Sequence, residues 1–312
     1  MLTRSITNPG ERAALYREAA RGRYLPVVRG VYLGAEEWAR LDVEQRHVAR
    51  MRAHELLRPG TVFSHVSAAL VWGLPVVATR LLVPHSVAPT AVGGRSRNGL
   101  IRHTVGIPDD LRRVDGLLVT APYDTVLHVA TTARPETAVP VLDVAFARSD
   151  WSLDREQLVA DAGGMPSSRA PVRGEWALRF ADPRSGSAGE SLSRVGIWRA
   201  GLPAPDLQCR FRDARGLIGI VDFFWPEFGL VGEFDGAGKY LREELRGGRD
   251  AAQVVVDEKR RENRLRAIDL KVARWEWTDA TSSARLRSIL LEAGLRAVRT
   301  PSRAFQLQMR AN

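Results

Sequence analysis

The sequence predicts an α/β chain of the α+β kind in two parts. A mainly helical half with an early hairpin is followed by a half in the order α-β-β-β-α-β. Three observations predict this. The run Gly219-Ile-Val-Asp222-Phe-Phe-Trp-Pro-Glu-Phe-Gly-Leu-Val-Gly-Glu233-Phe-Asp235-Gly236 reads as a β-hairpin. Apolar residues at helical spacing bracket that run on both sides. A stretch rich in Pro, Gly and Ser at 161–189 separates it from an earlier region with its own periodicity.

In chain order, Glu11 to Arg21 has helical spacing through Ala14, Leu15, Glu18 and Ala19. Gly22 to Gly34 alternates and turns at Arg29-Gly30. A helix is expected at 42–57, closed by Pro59-Gly60, and a small-residue helix over 64–72, ended by Gly73-Leu-Pro75. Strands are expected at 80–84, 99–103 and 116–120, then a helix after Pro122 and another at 135–147. The stretch 161–189 reads as a linker holding a short helix at 173–181, dividing a domain at 1–160 from one at 188–300. The second part predicts a helix at 188–200, a strand at 207–212, the hairpin, a helix at 250–268, a strand at 270–277 and a last helix at 282–298.

The 312 residues suffice for sizeable cores. The net charge of +10 favours an anionic partner, nucleic acid first. The excess is not a tail, since residues 1–150 alone hold 19 arginines against 14 acidic residues. One cysteine, Cys209, excludes an intramolecular disulfide and a cysteine zinc site and fits a reducing cytosol. With no apolar signal core at the start and no stretch of membrane-spanning length, a cytoplasmic protein without a membrane partner is expected.

The hairpin carries the chemistry. With Pro226 to Gly229 as its loop, Trp225 pairs with Leu230, Phe223 with Gly232 and Asp222 with Glu233. Directly opposed residues share a face at roughly 5 Å between Cβ atoms, and Asp235 follows Glu233 on that face. Three carboxylates on an otherwise apolar hairpin repel one another, and oxygen ligands are what a hard divalent cation such as Mg²⁺ selects. Glu190 has two readings. It closes a capping box in Ser187-Ala-Gly-Glu190, or it is a further metal or water ligand. On the helix after the hairpin, Glu258 and Arg261 fall on the apolar stripe of Val254, Leu265 and Ile268. They form an ion pair with each other, or Arg261 offers its planar fork to a phosphate. Lys259 lies off the stripe, and Lys239 lies just past Asp235-Gly236. All six histidines precede residue 129 and are expected to be structural or superficial.

This pattern resembles the PD-(D/E)XK nucleases, in the branch related to the very-short-patch-repair endonucleases. The matching residues are Glu190-Ser191, Pro205-Asp-Leu-Gln208, Val221-Asp-Phe223, Glu233-Phe-Asp-Gly236 and Glu258-Lys-Arg-Arg261-Glu-Asn-Arg-Leu265, within 173–278. The family's lysine, two residues after the glutamate, is Asp235 here. The resemblance implies a restriction-endonuclease-like αβββαβ domain that cleaves DNA phosphodiesters with Mg²⁺ or Mn²⁺. It implies Asp222, Glu233 and Asp235 as metal ligands, Glu190 as outer ligand or base, and Arg261 or Lys259 in place of the missing lysine. The first half resembles AbiEi-type antitoxins and regulators of toxin–antitoxin systems. Arg29-Gly-Val-Tyr32 is similar to their winged-helix hairpin, giving a partial winged helix over 1–40. Ser64-His-Val-Ser-Ala-Ala69, Gly73-Leu-Pro75 and Asp115-Gly-Leu-Leu-Val-Thr120 are similar to their second segment, placed at 60–150. That resemblance implies DNA and a toxin as partners. It also implies the rival expectation of a DNA-binding regulator with an inactive nuclease fold.

Overall fold

The computed structural model describes residues 8–89, 99–165, 169–236 and 251–297, and within 251–255 the backbone alone. The fold is α/β, with helices around mixed sheets. The chain divides into two compact units, one of residues 1–141 with 148–180, the other of 142–147 with 181–312.

The first unit opens with α1 (Pro9–Ala20), capped by the Asn8 side chain on Gly10 N. The hairpin β1 (Tyr24–Val28) and β2 (Val31–Gly34) turns at Gly30, whose φ of 90° a side chain would resist. The helix expected at 42–57 is α3 (Val43–Leu57), preceded by a separate short α2 (Ala35–Arg40). Asp42 breaks the two by closing a capping box with Gln45. A five-stranded sheet follows, built from β3 (Val62–Phe63), β4 (His85–Val87), β5 (Ile101–His103), β6 (Leu111–Val114) and β7 (Leu117–Thr120), in the order β5-β4-β3-β7-β6. Met51 of α3 packs with Phe63 and Val119 of this sheet, all three fully buried.

Two expectations need correction here, and one strand was not foreseen. The strand expected at 80–84 forms at β4 instead, because Pro84 has no N–H for a ladder and the strand begins after it. The edge strand β6 escaped notice because its centre is Arg112-Arg113, which suits an exposed edge. The stretch 161–189 is not a linker. After α4 (His65–Val71), α5 (Pro122–Thr132) and α6 (Pro135–Ala147) come α7 (Arg155–Gly163) and α8 (Ala170–Phe180). Ala162, Ala177 and Leu178 are buried, so the first unit runs on to Phe180.

The second unit follows the expected order: α9 (Ala188–Arg199), β8 (Asp206–Asp213), β9 (Gly216–Trp225), β10 (Leu230–Phe234), α10 (Ala251–Arg266), β11 (Lys271–Trp275), then a short α11 (Trp277–Ala280) and α12 (Ser283–Glu292). The sheet order is β11-β10-β9-β8, with β10 and β11 parallel and the other neighbours antiparallel. Leu192, Ile197, Leu286 and Leu290 of α9 and α12 pack on one face with Phe223, Trp225, Leu230 and Trp275. Leu265 of α10 packs on the other with Ile218, Val221 and Val231. Leu207 and Cys209, two apart on β8, belong to opposite faces. The break lies at Gln208, whose φ of 53° is left-handed and costs a non-glycine residue about 1–2 kcal/mol.

The hairpin has the expected register next to its loop, but the expected pair of Asp222 with Glu233 is not part of the ladder, because the Asp222 carboxylate takes the Phe234 amide. Trp225 opposes Leu230 and Phe223 opposes Gly232, across a loop whose first three residues form a 3₁₀ turn and whose last, Gly229, is left-handed. Gly232 is there for close packing. A Cβ on it would lie 2.5 Å from a ring carbon of Trp275 and 3.0 Å from one of Trp225. Both rings are pinned, Trp275 Nε1 donating to Ser193 Oγ and Trp225 Nε1 to Pro203 O. Gly232→Ala is therefore expected to cost about 1–3 kcal/mol as an overpacked core. Thermal unfolding followed by circular dichroism should show a melting temperature several degrees lower, and an unchanged value would mean the tryptophans are not held this tightly.

Candidate active site

The ladder between β9 and β10 reaches Phe223–Gly232. One residue further on, the Asp222 carboxylate intervenes. Its Oδ2 accepts the Phe234 amide at 2.9 Å. Glu233, next to it, is buried, and it opposes Arg274 across the parallel pair with β11. Arg261 reaches down from α10, its Nη1 donating to Glu233 Oε2 at 3.1 Å and its Nη2 to Ile220 O at 2.5 Å. Arg261 Nη2 also lies 2.7 Å from Glu233 Oε1, but off line. Oε1 thus has an ion pair and no hydrogen bond, although it is buried. Gly219 makes room for the guanidinium, since a Cβ there would stand 2.6 Å from Arg261 Nε.

Glu190 arrives from the first turn of α9. That turn lies against the end of β10 because Gly189 has no side chain. A Cβ on it would fall 1.9 Å from the Phe234 ring. Ser187 Oγ accepts the Glu190 amide at 3.2 Å, and the Glu190 carboxylate reaches back to the Gly186 amide at 2.8 Å and the Ser187 hydroxyl at 2.9 Å. This is the capping role, shifted one residue along from the usual box. Glu190 Oε2 also accepts Gln208 Nε2 at 2.8 Å, and its charge acts on Asp222. The two readings of Glu190 thus describe one side chain that helps hold its helix end and stands beside the hairpin carboxylates.

Electrostatics follow from this crowding. The Asp222 carboxyl is pushed up to about 7, first by burial and then by Glu190, with Glu233 adding and Phe234 N–H and Arg261 opposing. Arg274 touches Glu233 Oε2 at 3.4 Å and binds Glu258 more closely. Of the two readings of Glu258 and Arg261, the ion pair between them does not form. Each reaches across to the sheet instead, Glu258 to Arg274 and Arg261 to Glu233. Lys259 is exposed on α10, away from these contacts. Asp235 follows β10 half-buried, its amide bonded to Trp275 O at 2.8 Å. Lys239 and the Val254 side chain lie outside the described residues.

The donor set is chemically right for a hard cation, being all oxygen, with a buried Glu233 oxygen lacking a hydrogen bond and an Asp222 carboxyl driven toward neutrality by burial and by the neighbouring Glu190. Among the described residues, however, no three His, Cys, Asp or Glu side chains converge closely enough to hold an ion as they stand. Glu233 is turned onto arginine and Glu190 onto its cap. The residue that sequence reasoning missed is Arg274. Its signal was the parallel register of β11 with β10, which no local spacing reveals.

No protein-family model matches this chain, and no solved structure matches it. Over 169 residues the chain is 36% identical to two proteins of Mycobacterium tuberculosis described as uncharacterised, one from strain CDC 1551 and one from strain H37Rv. The match takes in 49% of this chain and 60% of each relative, so the chain spans less than two thirds of their length. Among the described residues, no helix is long and apolar enough to cross a membrane.

The raised Asp222 carboxyl makes a signed prediction. Folded, it holds its proton up to about pH 7, whereas the unfolded chain releases it near 3.8. The folded state therefore binds more protons between those values, and Asp222 destabilises the metal-free protein increasingly as pH rises through that window. Asp222→Asn keeps an oxygen for the Phe234 amide. It should melt like wild type near pH 4 and higher than wild type at pH 8, with chelator present. Equal melting at pH 8, or a gain independent of pH, would refute the crowding.

Proposed function

We propose that this protein is a Mg²⁺- or Mn²⁺-dependent DNA endonuclease whose second unit hydrolyses phosphodiesters, serving a defence or toxin–antitoxin setting. The observation that carries this is that Glu190 and Glu233, from two other elements, both act on the buried Asp222 carboxyl, with Arg261 paired to Glu233 beside it. A structural core gains nothing from such crowding, because buried carboxylates repel and must be neutralised. The αβββαβ order and the residues of the PD-(D/E)XK resemblance support the same reading. So does the chain's excess positive charge, which suits a polyanion.

Asp222 and Glu233 would hold the cation, with Asp235 at the end of β10 as a further oxygen. A bound divalent ion would supply an acidified water and offset charge on the scissile phosphate. Asp222 must lose its proton to serve, so cation affinity should rise with pH toward and past 7. Glu190, anchored by the Gly186 amide and Gln208, is an acceptor poised to orient water. Arg261 has a planar fork that fits two phosphate oxygens as well as it fits Glu233. Lys259, exposed, is the weaker substitute for the family's lysine.

One observation favours a second reading, a DNA-binding regulator of the antitoxin kind whose nuclease fold does not cut. Glu233 is already neutralised by Arg261 and Arg274 without any cation. The two readings part in one experiment with supercoiled DNA. Under the first, wild type nicks the DNA only with Mg²⁺ or Mn²⁺, and Glu233→Gln binds DNA but does not cut. Arg261→Ala should slow cutting about 10²–10³-fold, the loss expected for one electrostatic donor to the transition state. Under both, affinity falls steeply with salt, by roughly 0.9 log units per log unit of salt for each phosphate contacted. Full binding without cutting under either metal would leave the regulator, and absence of both binding and cutting would end both readings.

A further inference from the structure

The first unit brings together four histidines that the sequence scatters over four elements. His65 opens α4, His85 and His103 lie on neighbouring β4 and β5, and His128 sits in α5. The His65 ring stacks on His103 at 3.5 Å between centroids and on His128 at 4.6 Å. His85 Nδ1 meets His103 Nε2 at 2.9 Å. A core has no need of this arrangement. His65 and His128 are buried, yet His65 Nε2 and His128 Nδ1 find no hydrogen bond among the described residues. His65 also holds a left-handed backbone, φ 55°, and Ser64 Oγ contacts its Nδ1 at 2.8 Å. Strain and unmet polar atoms of this kind collect at functional sites.

Beside the cluster lies a cavity of about 510 Å³, lined in part by His65, His85, His103, Arg80, Arg134 and Thr137. None of its lining residues is acidic. Arg80 and Arg134 are exposed, and among the described residues neither has a carboxylate partner. A third arginine stands close, Arg173 Nη1 donating to the carbonyl of Thr132 in the cavity wall at 2.7 Å. Burial, then Arg169 and Arg134, push its guanidinium below the usual range. A lining with arginines and no acid favours an anion in the cavity. The cluster does not read as a metal site, because the rings stack face to face. No three His, Cys, Asp or Glu side chains among the described residues could hold an ion.

We propose that this cavity binds a phosphomonoester, with Arg80 and Arg134 forking the phosphate oxygens and the histidine cluster supplying ring N–H donors. Arginine is the side chain suited to a two-pronged grip on phosphate. The volume falls in the range of small-ligand sites, roughly 300–1,000 Å³, and is more than inorganic phosphate fills. The ligand is therefore an organic phosphate of mononucleotide size or the phosphorylated end of a nucleic acid. The proposal is independent of the reading of the second unit.

Isothermal titration of the full chain at low salt tests it, with inorganic phosphate, 5′-AMP, adenosine, and a short DNA strand with and without a 5′-phosphate as probes. Phosphate and 5′-AMP should bind saturably at one site, and adenosine should not. Tighter binding of 5′-AMP than of the phosphorylated strand assigns a small ligand. A clear gain from the strand's 5′-phosphate, beyond 5′-AMP, assigns a nucleic-acid end. Arg80→Ala with Arg134→Ala, both exposed and so tolerable to the fold, should weaken 5′-AMP at least about tenfold, as loss of charged hydrogen bonds requires. His65→Gln should weaken it too. Adenosine binding as well as 5′-AMP, no saturable phosphate binding, or unchanged affinity in the double arginine variant would overturn the proposal. So would tight one-to-one Zn²⁺ binding abolished by His103→Gln, which would make the cluster a metal site.

Discussion

Glu233 is the constraint around which the second unit is arranged. A carboxylate removed from water must be met by positive charge from the protein, and removing a partner from such a pair costs about 3–5 kcal/mol. Two elements answer. Arg261 comes from α10 and Arg274 from β11, and Arg274 is in turn held by Glu258. Those contacts tie the crossover helix to both strands that flank Glu233. Arg264 repeats the device a turn later, forking Asp213 and reaching the carbonyls of Gly216 and Leu217. The face of α10 toward the sheet is thus part apolar, through Leu265, and part guanidinium lying on backbone carbonyls of β9. The glycines follow from the same packing. Gly219 admits Arg261, Gly189 admits Phe234 and Gly232 admits two tryptophans. Each removes a side chain where charge or aromatic bulk must pass close to a backbone.

What was legible in the sequence was local. The hairpin register could be written down because a four-residue loop fixes it, and a shift of one residue would have turned Phe223 and Trp225 out of the core. The order of elements in the second unit followed from the same kind of periodicity, while the place of Glu190 beside the hairpin was one of two readings its capping box left open. What failed was non-local or compositional. The pair that was one reading of Glu258 and Arg261 suits an isolated helix, but both side chains pair across the crossover instead, Arg261 with the far more buried Glu233 and Glu258 with Arg274. Arg274 meets Glu233 only because β11 returns parallel to β10. The glycines, prolines and serines of 161–189 suggested a linker, while Ala162, Trp176 and Leu178 supply the burial that makes the stretch part of a core. Four histidines separated by 20, 18 and 25 positions give no periodic signal at all, and only the sheet of the first unit assembles them.

Glu190 shows how one residue can hold a helix end and also act electrostatically on a neighbouring carboxyl. Its carboxylate is fixed by an amide, a hydroxyl and the Gln208 amide group, and that fixing is what keeps a negative charge at a constant distance from Asp222. A mobile surface glutamate would be screened and would swing away. Gln208 can make its contact because its left-handed backbone breaks the alternation of β8 opposite Asp222, at a local cost the surrounding ladder absorbs. Structural and electrostatic roles are therefore coupled. Loosening the start of α9 would also relax the pressure on the Asp222 proton.

The same coupling decides how the arginines bear on the proposed chemistry. If Arg261 leaves Glu233, only the longer Arg274 contact remains on a buried carboxylate, so a replacement positive charge there is favoured. A phosphate arriving near α10 would draw the guanidinium outward, and Glu233 would then be open to a cation. The two events favour each other, and thermodynamic reciprocity requires that each strengthen the other by the same factor. An enzyme built this way holds its cation weakly when free and tightly with DNA. A binding-only protein would keep Arg261 on Glu233 throughout and show no such coupling. The ion pair that argues for the inactive reading is thus also the element whose displacement would distinguish a resting site from a dead one.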